Sequence, residues 1–116
     1  MVSLSVGAIA LALSACSSAP PTAEMAVSTA AVNHAAAAGG PELAPVAMLA
    51  AREKLALANT ALTEKHYHRA RELAAEAQVD AQLAESQAGA MRARTAADAV
   101  GAGQRALKDE LDRNAR

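Results

Sequence analysis

The sequence predicts an all-α protein: an antiparallel alanine-rich helical hairpin, which an N-terminal helix could extend to a three-helix bundle. Thirty-five of the 116 residues are alanine, the residue with the highest helix propensity. Phe and Trp do not occur and there is one Tyr, so the aromatic and β-branched runs typical of strands are missing. Because alanine buries little apolar area, we expect closely approaching helices around a thin core.

The N-terminus reads as a signal peptide. Residues 6–13 (VGAIALAL) are an apolar run that is too short to span a bilayer, which needs ~20 residues, but suits a signal-peptide core. The preceding residues 1–5 contain no Lys or Arg, unlike the usual basic start. The small residues that follow the run favour cleavage. Cys16 is the only cysteine, so it cannot form an internal disulfide and needs another explanation.

The quartet Leu13-Ser14-Ala15-Cys16 resembles the bacterial lipobox, Leu-small-small-Cys. The resemblance implies that the first three residues are recognised by a signal peptidase, which removes residues 1–15. It also implies that Cys16 carries diacylglycerol on its sulfur and a further acyl chain, such as palmitate, on its amine. Each buried CH₂ then adds ~0.8 kcal/mol of membrane affinity. The alternative is a chance cysteine beside an ordinary cleavage site.

Ser17 follows the predicted lipidation site. In lipoproteins of this type an Asp at that position tends to retain the protein in the inner membrane. The resemblance therefore implies the outer membrane, facing the periplasm, rather than the inner membrane or the cell surface. No cofactor is expected besides the covalent lipid.

The mature chain divides into three segments by composition. Residues 16–40 comprise the lipidated Cys, a Ser/Pro tether over residues 17–21 and a short helix from Thr22 to Ala38. Residues 41–100 form the hairpin domain, and residues 101–116 form a charged tail. Gly101-Ala102-Gly103 is expected to loosen the chain before that tail.

Two apolar stripes with alternating spacings of three and four residues predict the hairpin. The first helix should begin between Pro41 and Pro45, and residues 64–68 should form the turn. Such stripes favour a shallow, coiled-coil-like antiparallel packing. The predicted packing residues are Ala44, Met48, Ala51, Leu55, Ala58 and Leu62 on one helix, and Ala70, Ala74, Ala77, Ala81, Ala84, Ala88 and Met91 on the other.

Catalysis and metal binding find little support in the sequence. His66 and His68 are two residues apart and do not share a helix face, and His34 is the only further histidine. The acidic series Glu72, Glu76 and Asp80 is interpreted as a solvated face. Because no nucleophile–base order or phosphate-binding loop occurs, we expect no enzyme. The net charge of −1 gives no attraction to nucleic acid.

Two further resemblances concern the hairpin. Leu57, Ala58, Tyr67, Ala70 and Ala77 are spaced much like one tetratricopeptide repeat, without a second copy. A second pattern starts at Pro41-Glu42-Leu43 and continues through Tyr67 to Asp80 and Ala81. By these residues, the segment 41–99 more closely resembles a family of short bacterial lipoproteins, the domain of unknown function numbered four-three-nine-eight. In that family Gly-Asp usually precedes the Tyr, where this chain has Lys65-His66. The residues that carry the resemblance are Pro41-Glu42-Leu43, Tyr67, Ala70, Leu73, Ala74, Ala77, Asp80 and Ala81.

These observations predict a membrane-anchored lipoprotein of the bacterial cell envelope with a structural or adaptor role and no catalysis. Its expected partners are membrane lipid, through Cys16, and either an envelope protein or a second copy of itself. The alternatives are a self-assembling helical envelope protein and a single tetratricopeptide-like binding module.

Overall fold

The computed structural model describes residues 19–116, and all regular secondary structure within that range is helical. The predicted all-α class is therefore confirmed. The helices are, in chain order, α1 (Thr22–Ala37), α2 (Gly40–Leu43), α3 (Pro45–Thr63) and α4 (Tyr67–Asn114). Helices α3 and α4 form the antiparallel hairpin, and α1 packs against both.

Helix α1 begins directly after Pro21 and ends two residues before Gly39. Glu24 lies in its first turn, where a carboxylate interacts favourably with the helix dipole. Gly39 has a φ of +82°, a conformation that glycine adopts without steric cost, and its N–H donates to the Ala36 carbonyl at 3.1 Å. A Cβ on Gly40 would lie 2.7 Å from the Ala35 oxygen. The two glycines therefore allow a sharp, tightly packed reversal between α1 and α2.

The helix expected to start between Pro41 and Pro45 is divided in two. Ala44, between α2 and α3, has φ −143° and ψ 54°. Its non-helical backbone follows from its position before Pro45, because the proline ring disfavours helical geometry in the preceding residue. Pro45 itself then occupies the first position of α3, where its missing N–H is tolerated.

The α3–α4 turn is shorter than predicted. Helix α3 ends at Thr63 and α4 starts at Tyr67, so Tyr67 and His68 belong to α4 rather than to the turn. Lys65 adopts the left-handed conformation with φ 62°. This is the position at which the resembled family usually has glycine, and a side chain there is sterically unfavourable.

The core is thin and made mainly of alanine. Of the sixteen buried apolar residues in the described chain, twelve are alanine. Fourteen of them form two clusters that both include residues of α1, α3 and α4. One cluster contains Met25 near the start of α1 and Ala70 near the start of α4, and the other contains Val32 and Ala84. Helix α1 therefore runs parallel to α4 and antiparallel to α3, giving a three-helix bundle.

The structure places most predicted packing residues in the interior. Met91 differs: 42% of it is exposed, because it lies past the part of α4 that the other helices cover. Leu55 and Leu62 are half-buried. The buried members are Ala44, Met48, Ala51, Ala58, Ala70, Ala74, Ala77, Ala81, Ala84 and Ala88, and the stripe analysis missed the buried Ala47, Ala61 and Leu73.

Helix α4 continues well beyond the bundle. Its 48 residues correspond to about 72 Å at 1.5 Å per residue. Gly101-Ala102-Gly103, expected to loosen the chain, lies inside the helix, and the predicted charged tail is helical to Asn114. Glycine costs only ~1 kcal/mol relative to alanine in a helix, and extending a helix that the bundle has already nucleated adds no nucleation cost.

Enlarging one buried alanine tests the close packing. Ala77 is fully buried. We expect Ala77→Leu to destabilise the fold by ~1–3 kcal/mol, because the added carbons must force the helices apart. Urea unfolding followed by circular dichroism measures the change. Ala99→Leu, at an exposed position of the same helix, should leave the midpoint nearly unchanged. Equal effects of the two substitutions would refute close packing at Ala77.

A second prediction concerns the α3–α4 turn. Lys65→Gly should stabilise the protein by ~0.5–1 kcal/mol, because glycine has no Cβ to clash in the left-handed conformation. The same substitution at the neighbouring Glu64, with φ −78°, should destabilise, since glycine there only adds entropy to the unfolded chain. The urea midpoints of the two variants should therefore move in opposite directions.

Candidate attachment and interaction sites

The predicted attachment site lies outside the described residues. Leu13, Ser14, Ala15 and Cys16 all precede residue 19, as does Ser17. The structure does describe how the chain that follows them enters the fold. Pro21, expected in an extended tether, is fully buried. The chain is thus held against the bundle within five residues of Cys16.

Arg71, near the start of α4, binds the segment that enters the fold here. Its Nε donates to Glu24 Oε1 at 3.0 Å, and its Nη2 donates to the Ala19 carbonyl at 3.3 Å. The pKa of the Glu24 carboxyl is held below its usual value by a hydrogen bond from its own backbone N–H and by the Arg71 guanidinium. The chain therefore enters beside the N-terminal end of α4, at the opposite end from the free C-terminal part of that helix.

The histidines and acidic residues are distributed over separate pairwise contacts. His34 contacts Glu85 at 3.2 Å, and His68 contacts Glu72 at 3.5 Å. His66 lies 3.3 Å from Glu64. Within residues 19–116 no three His, Cys, Asp or Glu side chains are grouped as metal ligands would be.

Lys54 of α3 binds the rest of the acidic series. Its Nζ lies 2.7 Å from Asp80 Oδ2 and 3.4 Å from Glu76 Oε2. Hydrogen bonding to Asp80 raises the pKa of the Lys54 amine. These three residues, which we call the Lys54 cluster, join α3 to α4 and carry one more carboxylate than amine.

The tetratricopeptide-like positions are only partly brought together. Ala58, Ala70 and Ala77 are buried at the helix crossing, and Tyr67 is half-buried at the start of α4. Leu57 is 54% exposed and points away from the hairpin contact. A groove of about 230 Å³ between α1 and α4 is lined by Val27, Ala75 and Gln78, and is closed at one end by the Glu24–Arg71 pair.

A second apolar row follows the side of α4 that faces away from α1 and α3. We call it the outer seam. The outer seam was not predicted from the sequence, because the predicted helix stopped near residue 100. The spacing of the seam residues nevertheless alternates between four and three throughout. All of its residues are exposed. It consists of Val79, Leu83, Ser86, Ala90, Ala93, Ala97, Val100, Gln104, Leu107 and Leu111.

The helices of residues 19–116 also bear on whether the described chain spans a membrane. None of those in the described range combines the length and the apolar character needed to cross a bilayer.

The Glu24–Arg71 contact predicts a pH dependence. The folded-state pKa of Glu24 is below that of the unfolded chain, so its stabilising effect is present at neutral pH and is lost as the pH falls through the folded-state value. We expect the urea midpoint to fall less between pH 7 and about pH 3 in Glu24→Gln than in the wild type. Glu42→Gln, an exposed carboxylate outside this contact, should keep the wild-type pH dependence. Identical pH profiles for all three proteins would contradict the assignment.

Comparison with known proteins identifies the domain but not an activity. No curated protein and no solved structure matches the chain. The sequence model of one family, described as Domain of unknown function (DUF4398), matches residues 23–100, which span α1, α2, α3 and the first two thirds of α4. The chain therefore belongs to the DUF4398 family.

Proposed function

We propose that this protein is a lipid-anchored structural protein of the bacterial cell envelope, which holds a long helix out for contact with a helical partner. The observation that carries the proposal is the position of the chain entry. Only two residues separate Cys16 from Ala19, whose carbonyl is bound by Arg71 near the start of α4. An anchor on Cys16 would therefore hold one end of α4 close to the membrane surface.

The distal end of α4 supports a role in contact rather than in chemistry. From Gly89 onward every residue is exposed except the half-buried Gly101. At 1.5 Å per residue, the helix extends about 65 Å from Arg71 to Asn114. A rigid helix with one end bound and the other exposed suits a spacer or adaptor. The titratable groups described above contact one another across the helices of the bundle.

The membrane is proposed from the lipobox residues and Ser17. Two or three acyl chains on Cys16 would give stable attachment, which a single chain does not. Ser17 favours the outer membrane, with the helices in the periplasm. A single tetratricopeptide-like binding module is the weaker candidate, because Leu57 lies outside the helix crossing.

Intact-mass analysis of the membrane-extracted protein tests the anchor. We expect a mature N-terminus at Cys16 with the added mass of diacylglycerol and an N-acyl chain. Cys16→Ser should abolish both the cleavage and the added mass, because the serine hydroxyl does not form the thioether. Ser17→Ala should be processed and acylated like the wild type. An unmodified Cys16 in the wild-type membrane protein would refute the proposal.

A further inference from the structure

We propose that the partner of α4 is a second copy of this chain, packed antiparallel along the outer seam. The seam runs about 48 Å from Val79 to Leu111 at 1.5 Å per residue. Its alternating four-three spacing is that of a coiled-coil contact. Its first four positions, Val79, Leu83, Ser86 and Ala90, each lie two residues beyond a buried alanine of the inner stripe, which is ~200° around the helix. The seam is therefore on the back of α4, where a second helix can approach without displacing α1 or α3.

Five large apolar residues make the seam more than a row of alanines. Val79 and Leu83 lie on the bundle part of α4, Val100 lies in the middle of the exposed part, and Leu107 and Leu111 lie near its end. Between 48% and 63% of each residue is exposed. A row in which eight of ten exposed positions are apolar indicates a contact surface, whereas isolated exposed apolar residues do not.

The order of residues along the seam fits an antiparallel partner. When two copies are aligned about Thr95, each large apolar residue meets an apolar residue and the two polar positions meet each other. Gly89 and Gly103 flank the central layers, and a Cβ added to either would meet no atom within 4 Å, so the backbones can come close. The five layers are Val79 with Leu111, Leu83 with Leu107, Ser86 with Gln104, Ala90 with Val100 and Ala93 with Ala97.

Charge selects the antiparallel arrangement over the parallel one. Residues 19–88 contain five Lys/Arg and eight Asp/Glu, a net charge of −3, whereas residues 89–116 contain six and four, a net charge of +2. Antiparallel copies place the basic end of each α4 beside the acidic bundle of the other. Parallel copies would place like charges together, which is unfavourable.

The Lys54 cluster supplies a specific charged contact for this register. Asp80 directly follows Val79 and flanks the seam. The alignment places Lys108 of the second copy on this edge of the seam, beside a cluster that carries two carboxylates and one amine. The two-fold symmetry forms this contact twice, once at each end of the paired helices.

The antiparallel pairing also sets the positions of the two membrane anchors, and this point alone rests on the proposed lipid anchor. Arg71 and the Ala19 carbonyl mark where each chain enters. In the antiparallel register the two entry points lie roughly 70 Å apart at 1.5 Å per residue. Two anchors at opposite ends would hold the paired helices along the membrane surface and would add their affinities.

Site-directed cross-linking of the full chain in membranes tests the pairing and its direction. Leu83→Cys and Leu107→Cys chains with different tags are co-expressed and treated with a short thiol-reactive cross-linker. We expect a link between the two variants and none when either is expressed alone, because the two positions are ~36 Å apart on one helix. The wild-type chain reports any link made by Cys16 itself. Links within each variant alone would indicate a parallel pair and overturn the proposal.

Sedimentation of the full chain in detergent provides the second measurement. We expect a dimer whose dissociation constant rises at least about tenfold, or about 1.4 kcal/mol, in a Leu107→Glu/Leu111→Glu variant. An Ala99→Glu/Ala106→Glu variant adds the same charge to exposed positions off the seam and should remain dimeric. A monomeric wild type, or equal weakening in both variants, would overturn the proposal. Neither result depends on acylation of Cys16, which the mass measurement decides separately.

Discussion

Close contact between alanine faces is the constraint on which the rest of this structure depends. Ala77 and Ala81 of α4 meet α1 and α3 with side chains of one carbon, so the three backbones come near each other. Such a core removes little apolar area from water per residue. The stability of the fold therefore depends on close approach of the helices along their whole contact, so the turns must position the helices accurately. Gly40, just after the C-terminal end of α1, also allows a close approach, because a Cβ there would lie only 2.7 Å from the Ala35 oxygen.

This packing also divides α4 into two faces with different roles. The inner face is fully occupied by α1 and α3, up to Ala88. The opposite face carries the outer seam, and from Gly89 onward the described residues of α4 are exposed apart from the half-buried Gly101. A single continuous helix thus joins the point where the chain enters, at Arg71, to a free apolar surface. The entry point and the far end of this surface lie tens of ångströms apart along one unbroken helix.

Charged side chains of the described residues form contacts that join the helices into a framework. Lys54 neutralises part of an acidic face by binding Glu76 and Asp80, and Arg71 fixes the entering chain through Glu24. Exposed ion pairs of this type contribute little to stability individually. Their main effect is to set the register of α3 and α1 on α4. Membership of the DUF4398 family is consistent with such a framework and assigns no reaction to it.

The sequence by itself determined the helical class and the inner stripe, because the three-four alternation from Ala70 to Ala88 has one structural reading. The sequence did not predict the direction of α1, because small residues surround this helix and give no periodic apolar stripe. Only the packing of the helices showed that α1 runs parallel to α4. Tertiary structure also decided the fate of Gly101 and Gly103: the bundle nucleates α4, so propagation overcomes the cost of two glycines. The exposure of Met91 has a similar origin, because the covering helices end before it. The outer seam was present in the sequence throughout, but it became recognisable only once α4 was known to reach Asn114.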